Sequence, residues 1–267
     1  MNERYELLAP IGEGGLGTVF KARDRRTGRV VALKRLRADK AADSVAIDRF
    51  LHEARLLSEL RHPNIVEVLD SGLEDGIAFM AMEFIQGGTL DAAVTQAALK
   101  PETFDSLVRQ TLAGMSAAHA AGVLHLDLKP ENLMLSPRPE GGFRVTILDF
   151  GLARGVNDGV EPADGLPGSI HFMAPEQFQR GAVDARADVY ALGCVFYHAL
   201  TQRHPFEGEL APQVVVSHLR HWVKPLAPLR PDLPAATIQW IERLISRQPA
   251  DRPASAKEAL DAYPGVI

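Results

Sequence analysis

Gly12-Glu13-Gly14-Gly15-Leu16-Gly17-Thr18-Val19-Phe20-Lys21-Ala22 is the stretch that decides which architecture the chain can adopt. Glycines at 12, 14 and 17 carry no Cβ, so their N–H groups can come close to phosphate oxygens, while Val19 offers an apolar surface to an adenine ring. A plain hairpin turn is satisfied by the same spacing, and the glycines alone do not choose between the two. Their C-terminal neighbours do choose between folds. A dinucleotide-binding βαβ unit needs a helix directly after the glycines, whereas Thr18 to Ala22 is strand-like, so the glycines join two strands.

Working outward, segments 5–11, 18–23 and 29–36 are rich in strand formers and read as a small antiparallel sheet. Between Ser44 and Leu60 the period changes to helical, with Ile47, Phe50, Leu51, Ala54, Leu57 and Leu60 on one stripe and Glu53 the acid among them. Arg61-His62-Pro63-Asn64 ends that helix. Segments 65–69 and 77–84 are two further strand candidates, joined by the turn-rich residues 71–76. Lys34 closes the apolar run Val31-Ala32-Leu33, where it can leave the sheet and reach the same phosphates, and a Glu53 carboxylate directed at it would fix the ammonium. Taken singly, Lys34 reads as a solvent-facing strand lysine and Glu53 as a helix-surface acid. The ordered glycines, Ala32, Lys34 and Glu53 together weaken both readings.

Gln86-Gly87-Gly88 marks a hinge or domain boundary. Beyond it the pattern is mainly helical, over 104–121, 185–200, 235–246 and 255–263. Short strands are expected at 123–125, 132–135 and 144–148, and a surface hairpin excursion at 136–142. The expected division is 1–85 and 86–267.

The chain has 267 residues, 46% of them hydrophobic, enough to bury a core as one large domain or two smaller lobes. A formal charge of -5 provides no global basic field for nucleic acid or an acidic membrane. Cys194 is the single cysteine, so an internal disulfide and a cysteine-based metal site are both excluded. With no signal segment and no apolar run of about 18 to 20 residues, a cytoplasmic domain is expected, an anchor elsewhere in a longer parent being left open.

His125-Leu126-Asp127-Leu128-Lys129-Pro130-Glu131-Asn132 and Asp149-Phe150-Gly151, in this order after the glycines and Lys34, resemble the eukaryotic-type (Hanks-type) protein kinase family in its bacterial serine/threonine branch. The resemblance runs from Tyr5 to about Tyr263. It implies an α+β, two-lobed protein-kinase-like fold, with an N-terminal five-stranded antiparallel sheet plus helix and a mainly helical C-terminal lobe. Residues 1–85 would be the nucleotide-binding lobe and 86–267 the catalytic and substrate-binding lobe, together one kinase domain. The implied reaction is Mg-ATP-dependent phosphoryl transfer to Ser/Thr hydroxyls of proteins.

Carried onto matching positions, the resemblance gives Asp127 the acceptor hydroxyl proton and Lys129 the transferring phosphoryl group. Lys34 and Glu53 form the phosphate-holding ion pair, and Asn132 and Asp149 hold Mg2+, with Mn2+ as a substitute. Gly12, Gly14, Gly17, Val19, Ala32 and Lys34 would surround the nucleotide. Backbone groups of Glu83 and Ile85 would meet the adenine edge, Met82 would guard the deeper pocket, and Met134 would lie beneath the base. Support is implied from a Glu176–Arg252 pair, from Asp188 hydrogen-bonding the catalytic-loop backbone, and from a stack of Leu57, Val68, His125 and Phe150. A kinase dimer or a regulatory flanking domain fits the family; nucleic acid and membrane contacts do not fit this chain.

Two departures stand out. Leu126 occupies the position where switchable kinases carry the Arg that receives an activation-loop phosphate, making this a non-RD catalytic loop. Between Phe150 and Gly168 there is no Ser, Thr or Tyr, only acids at Asp158, Glu161 and Asp164; Ser169 is the first hydroxyl. Lys129 and Ser169 suit the serine/threonine class, and Ile170 to Met173 would line an apolar substrate subsite. His171 reads as a loop residue, and Trp222 and Trp240 as core or surface anchors. A nucleotide-binding pseudokinase or scaffold is the competing reading, and the complete set Lys34, Asp127, Asn132 and Asp149 argues against it.

Overall fold

The computed structural model describes residues 4–14, 17–150, 154–155, 169–179 and 181–266. Gly15, Leu16, Gly151 and the acids at 158, 161 and 164 lie outside the described residues. The chain divides into two compact units, Met1–Gln86 and Gly87–Ile267.

The first unit is a five-stranded antiparallel sheet with one long helix. Strands β1 (Tyr5–Glu13), β2 (Gly17–Asp24), β3 (Val30–Leu36), β4 (Val68–Glu74) and β5 (Ile77–Glu83) lie in the order β1-β2-β3-β5-β4. Because side chains alternate across a strand, Ala22, Val31, Leu33 and Ala81 share one face and build a core with Tyr5. Helix α1 (Ser44–Glu59) starts at Asp43, whose side chain accepts from the N–H groups of Val45 and Ala46. It buries Ala46, Phe50, Glu53, Ala54 and Leu57, so Phe50, Ala54 and Leu57 of the expected stripe face inward with the acid among them, while Ile47 and Leu51 are only half-buried and Ala46 takes an unexpected inward place.

One strand boundary differs from the sequence reading. Residues 71–74, whose Ser and Gly content favours a turn, belong to β4, with Ser71 opposite Met80 and Gly72 opposite Phe79. The turn is only Asp75-Gly76, both left-handed at φ 49° and 79°, which is the two-residue hairpin that Asp-Gly favours.

The second unit is mainly helical. Its helices are α2 (Leu90–Gln96), α3 (Pro101–Ala120), α4 (Pro175–Phe178), α5 (Ala185–Thr201), α6 (Ala211–Arg220), α7 (Ala235–Leu244) and α8 (Ala256–Asp261). Short strands β6 (Gly88–Thr89), β7 (Val123–Leu124), β8 (Leu133–Pro137), β9 (Phe143–Ile147) and β10 (Arg154–Gly155) form the sheets β6-β8-β9 and β10-β7. Helix α5 is buried almost all round, from Ala187 to Leu200, and is therefore the central helix. Gly193 lets α7 reach it: a Cβ there would stand 2.6 Å from the Ile245 side chain. Trp240 is buried and donates from Nε1 to the Ala259 carbonyl at 3.0 Å, whereas Trp222 is exposed. Helices α2, α4 and α6 are not among the expected ones: α2 and α4 have seven and four residues, too few to carry a period, and the consecutive valines 214–216 of α6 favour strand.

Seven of the nine histidines lie in this unit, and five of them gather around His204 and Phe206. The rings of His171 and His204 stack with centroids 4.0 Å apart, and His198 stacks on the other side of His204 at 4.7 Å. His218 packs on Phe206 at 4.4 Å, with its Nδ1 2.7 Å from the Tyr190 hydroxyl, and His221 also flanks Phe206. Burial, reinforced by the neighbouring imidazoles, pushes His204 and His218 down to about 3. Burial also lowers His171, His198 and His221, against the weaker pull of Glu207 on His171 and of Asp91 and Glu131 on His198. These groups bind protons in the unfolded chain below pH ~6.5 but not in the folded one, so stability falls as pH drops below that value. Each such histidine contributes up to about 1.4 kcal/mol per pH unit. The expected result is a thermal midpoint lower by on the order of 5 °C at pH 5.5 than at 7.5, with a shallower slope in His204→Phe. Calorimetry at constant ionic strength checks it, and a pH-independent midpoint is the contrary outcome.

Candidate active site

In the first unit, sheet register assembles the candidate nucleotide residues. Val19 lies opposite Lys34, and Ala32 opposite Met82, so all four share the sheet face away from the Val31/Leu33 core. Lys34 Nζ sits 2.9 Å from Glu53 Oε1, with only 9% and 4% of the two side chains exposed. Desolvating two charges offsets most of their attraction, so such a pair contributes little net stability; it fixes an ammonium in place. Gly14 donates to the Gly17 carbonyl at 2.8 Å, closing the turn between β1 and β2. Gly17 is required by packing as well, because a Cβ would stand 2.7 Å from the Arg35 carbonyl oxygen. Gly12 and Gly14 meet no comparable crowding. Glu83 commits its N–H to the Glu67 carbonyl at 2.9 Å, and Ile85 is half-buried just beyond β5.

In the second unit, side chains hold the first part of the loop between β7 and β8, at the N–H groups of His125, Leu126 and Asp127 and the carbonyls of Leu126 and Asp127. Asp188, fully buried on α5, accepts from the N–H of His125 at 2.9 Å and of Leu126 at 2.7 Å. A third bond comes from His119 Nε2 at 3.0 Å, since His119 Nδ1 accepts from the Ala256 N–H. Burial pushes the Asp188 carboxyl up, but the His119 bond, the two nearby imidazoles and the His125 N–H outweigh it and hold it below the usual carboxylate range. The buried His125 donates from Nε2 to the Leu148 carbonyl at 3.0 Å and accepts at Nδ1 from the Asp127 N–H at 3.3 Å, which fixes its tautomer. Its ring lies 4.4 Å from Phe150.

Asp127 thus has both backbone groups occupied, because its carbonyl accepts from Asn132 Nδ2 at 2.8 Å. Lys129 Nζ lies 2.9 Å from Asp127 Oδ2. Leu126 and Asp149 are both left-handed, at φ 63° and 51°, a conformation that costs a non-glycine residue on the order of 1–3 kcal/mol. The hydrogen bonds to Asp188 help hold the first of them. With its NH2 turned to the Asp127 carbonyl, Asn132 leaves its amide oxygen facing the other way. That oxygen and the Asp149 carboxylate are hard donors of the kind Mg2+ or Mn2+ takes, so the residues fit such a cation. Met134, on β8 between Thr89 and Thr146, is half-buried.

The pairing of Glu176 with Arg252 expected from the resemblance is present. Arg252 spends all five N–H donors: on Glu176 Oε1 and Oε2 at 2.7 and 3.0 Å, and on the carbonyls of Arg186, Ser246 and Arg247. Its guanidinium also covers the Tyr190 ring at 4.6 Å. Of the expected four-residue stack, Leu57 and Val68 are buried in the first unit, and His125 and Phe150 pack together in the second.

Two residues escaped the sequence reading. His119 supplies the third donor to Asp188, and Gln177 joins the loop from α4: its Nε2 donates to the Leu126 carbonyl at 3.1 Å while its Oε1 accepts from the Ala174 N–H at 2.8 Å. The only sequence signal for the latter was a Gln two residues after the Pro that starts α4, the place from which a side chain reaches back to cap a helix.

The family described as protein kinase domain matches residues 5–263. Serine/threonine-protein kinase pkn3 of Myxococcus xanthus is 39% identical over 264 residues, covering 95% of this chain and 48% of the relative. Serine/threonine-protein kinase PrkC of Bacillus subtilis is 34% identical over 257 residues, covering 96% and 39%. Pkn2 of Myxococcus xanthus, another serine/threonine-protein kinase, is 34% identical over 268 residues, covering 98% and 32%. The chain spans less than half the length of these relatives. With the match running through both units, and with the two-part α+β architecture described above, the chain belongs to the protein kinase family, as a Hanks-type domain of the bacterial serine/threonine branch.

Proposed function

We propose that this domain transfers the terminal phosphoryl group of Mg-ATP to serine or threonine hydroxyls of protein substrates. The observation that carries the proposal is the fixation of Asp127, pinned at its own N–H and carbonyl and paired with Lys129. Bound Mg-ATP supplies the electrophilic phosphoryl group and the cation that offsets its charge. Asp127 accepts a hydrogen bond from the acceptor hydroxyl, orients its lone pair and takes its proton. Lys129 holds the carboxylate and offers positive charge where negative charge builds up. Lys34, kept in place by Glu53, holds phosphate oxygens, and Asn132 and Asp149 hold the cation. Gly12, Gly14 and Gly17 let backbone N–H groups approach phosphate; Val19, Ala32, Met82 and Met134 contact the base, with backbone groups of Glu83 and Ile85 at its edge. Residues 1–85 serve as the nucleotide-binding lobe and 86–267 as the catalytic and substrate-binding lobe. Transfer of label from γ-labelled ATP to a general protein substrate, read beside Mg-ATP binding, tests the proposal. Nucleotide binding by folded protein without transfer is the result a scaffold module would give.

Activity without phosphate between Asp149 and Gly168 is the expected regulatory behaviour, since Leu126 cannot receive one and the segment offers no hydroxyl. Intact-mass analysis of phosphatase-treated protein that still transfers phosphate supports this; loss of activity on dephosphorylation contradicts it. Regulation then falls to placement of the Glu53 helix, to a kinase dimer or to flanking domains. No helix among the described residues is long and apolar enough to cross a membrane. A cytoplasmic setting is proposed on that footing and on the reduced, buried Cys194, whose thiol burial pushes up.

A further inference from the structure

We infer that Gln177 is a positioning residue for Asp127, acting through the peptide plane that joins Leu126 to Asp127. This rests on the kinase reading for its catalytic consequence, but not for its structural one. Both ends of that plane are held by side chains. The Leu126 carbonyl accepts from Gln177 Nε2 at 3.1 Å, and the Asp127 N–H donates to His125 Nδ1 at 3.3 Å. The next plane is held by Asn132 on the Asp127 carbonyl. Gln177 is the one of these holders that comes from the segment after the activation loop; His125 and Asn132 belong to the catalytic loop itself.

The amide of Gln177 has only one workable orientation. Its oxygen must face the Ala174 N–H and its NH2 must face the Leu126 carbonyl; the reverse sets oxygen against oxygen and N–H against N–H. The side chain is delivered from a turn that is itself clamped, because the adjacent Glu176 is held by Arg252 through two hydrogen bonds. The plane needs such a hold. Leu126 is left-handed at φ 63°, a conformation a leucine leaves readily unless its polar groups are tied, and Asp188 ties only its N–H. A neutral amide therefore links the Ala174-Pro175-Glu176 segment to the residue preceding Asp127, at the position where an arginine would otherwise answer to phosphate. The link is made without modification, and it is independent of salt and phosphate in a way an ion pair is not.

Capping α4 and holding Leu126 are separable tasks. Gln177→Glu keeps an oxygen for the Ala174 N–H but turns a second oxygen on the Leu126 carbonyl, whereas Gln177→Met loses both bonds. The expected result is that both variants lower kcat for protein phosphorylation by on the order of 10- to 100-fold with the KM for ATP within about twofold of wild type. Hydrogen exchange at the Asp127 amide speeds up in both. Gln177→Glu matching wild type in kcat and in Asp127 exchange overturns the inference and leaves Gln177 a helix cap only. If the wild-type domain transfers no phosphate, the exchange measurement still decides: faster Asp127 exchange in Gln177→Glu upholds the positioning role while the kinase reading fails, and unchanged exchange overturns it.

Discussion

Asp127→Asn is expected to lower kcat for phosphoryl transfer by on the order of 10² to 10⁴, the range a positioned proton acceptor supplies, while leaving Mg-ATP affinity nearly unchanged. The substitution keeps size and shape. The backbone bonds to His125 and Asn132 do not involve the Asp127 side chain, so the loop keeps its path. Two things change at the side chain. An amide cannot take the hydroxyl proton, and Lys129, 2.9 Å away, loses its negative partner. A rate-selective defect with intact nucleotide binding follows from this, and isothermal titration beside initial-rate kinetics checks it. A parallel collapse of ATP affinity would mean that Asp127 holds the nucleotide rather than the acceptor.

Arg252→Met should be the most destabilising single change considered, by about 3–5 kcal/mol, because removing one partner of a buried pair strands the other. The Arg252 side chain is fully buried, and the loss leaves Glu176 and the carbonyls of Arg186, Ser246 and Arg247 without the donors they had. Methionine fills most of the volume and packs on Tyr190, so the cost is one of polar groups rather than of a cavity. At roughly 2–4 °C per kcal/mol for a domain of this size, the thermal midpoint of the second unit falls by about 6 to 20 °C. Glu176→Gln combined with Arg252→Met should cost less than the sum of the two single changes, because it removes the stranded charge. A midpoint within 2 °C or so of wild type in the single variant would contradict the assignment of this arginine as the anchor of α4.

Part of the fold and of the site is legible in the sequence and part is not, residue by residue. Lys34 and Glu53 were legible because strand and helix periodicities are local properties, and both residues fell where those periods put them. Asp188 and Arg252 were legible only through the family resemblance, since nothing local ties a helix acid to a loop sixty residues away. His119 was not legible at all, and Gln177 was legible at most as a helix cap, not as a partner of the catalytic loop. The carbonyl that Gln177 satisfies exists as a target only because Leu126 is left-handed, against the preference of leucine, and no propensity announces that. The β4 boundary failed for a related reason: Ser71 and Gly72 favour turns, but pairing with Met80 and Phe79 outweighs that preference, and Asp75-Gly76 carried the true turn signal. The valine run in α6 likewise became helical because Val214 and His218 have a buried face to fill.

Phosphorylation of serine or threonine by way of Asp127 is what this domain is proposed to carry out. The most direct measurement incubates wild-type and Asp127→Asn protein with γ-labelled ATP, Mg2+ and a mixed protein substrate, and identifies the labelled amino acid after hydrolysis. Labelled phosphoserine or phosphothreonine from the wild type, lost in the variant while both bind Mg-ATP, is the predicted result. Label on tyrosine, or equal labelling by both proteins, would contradict the account.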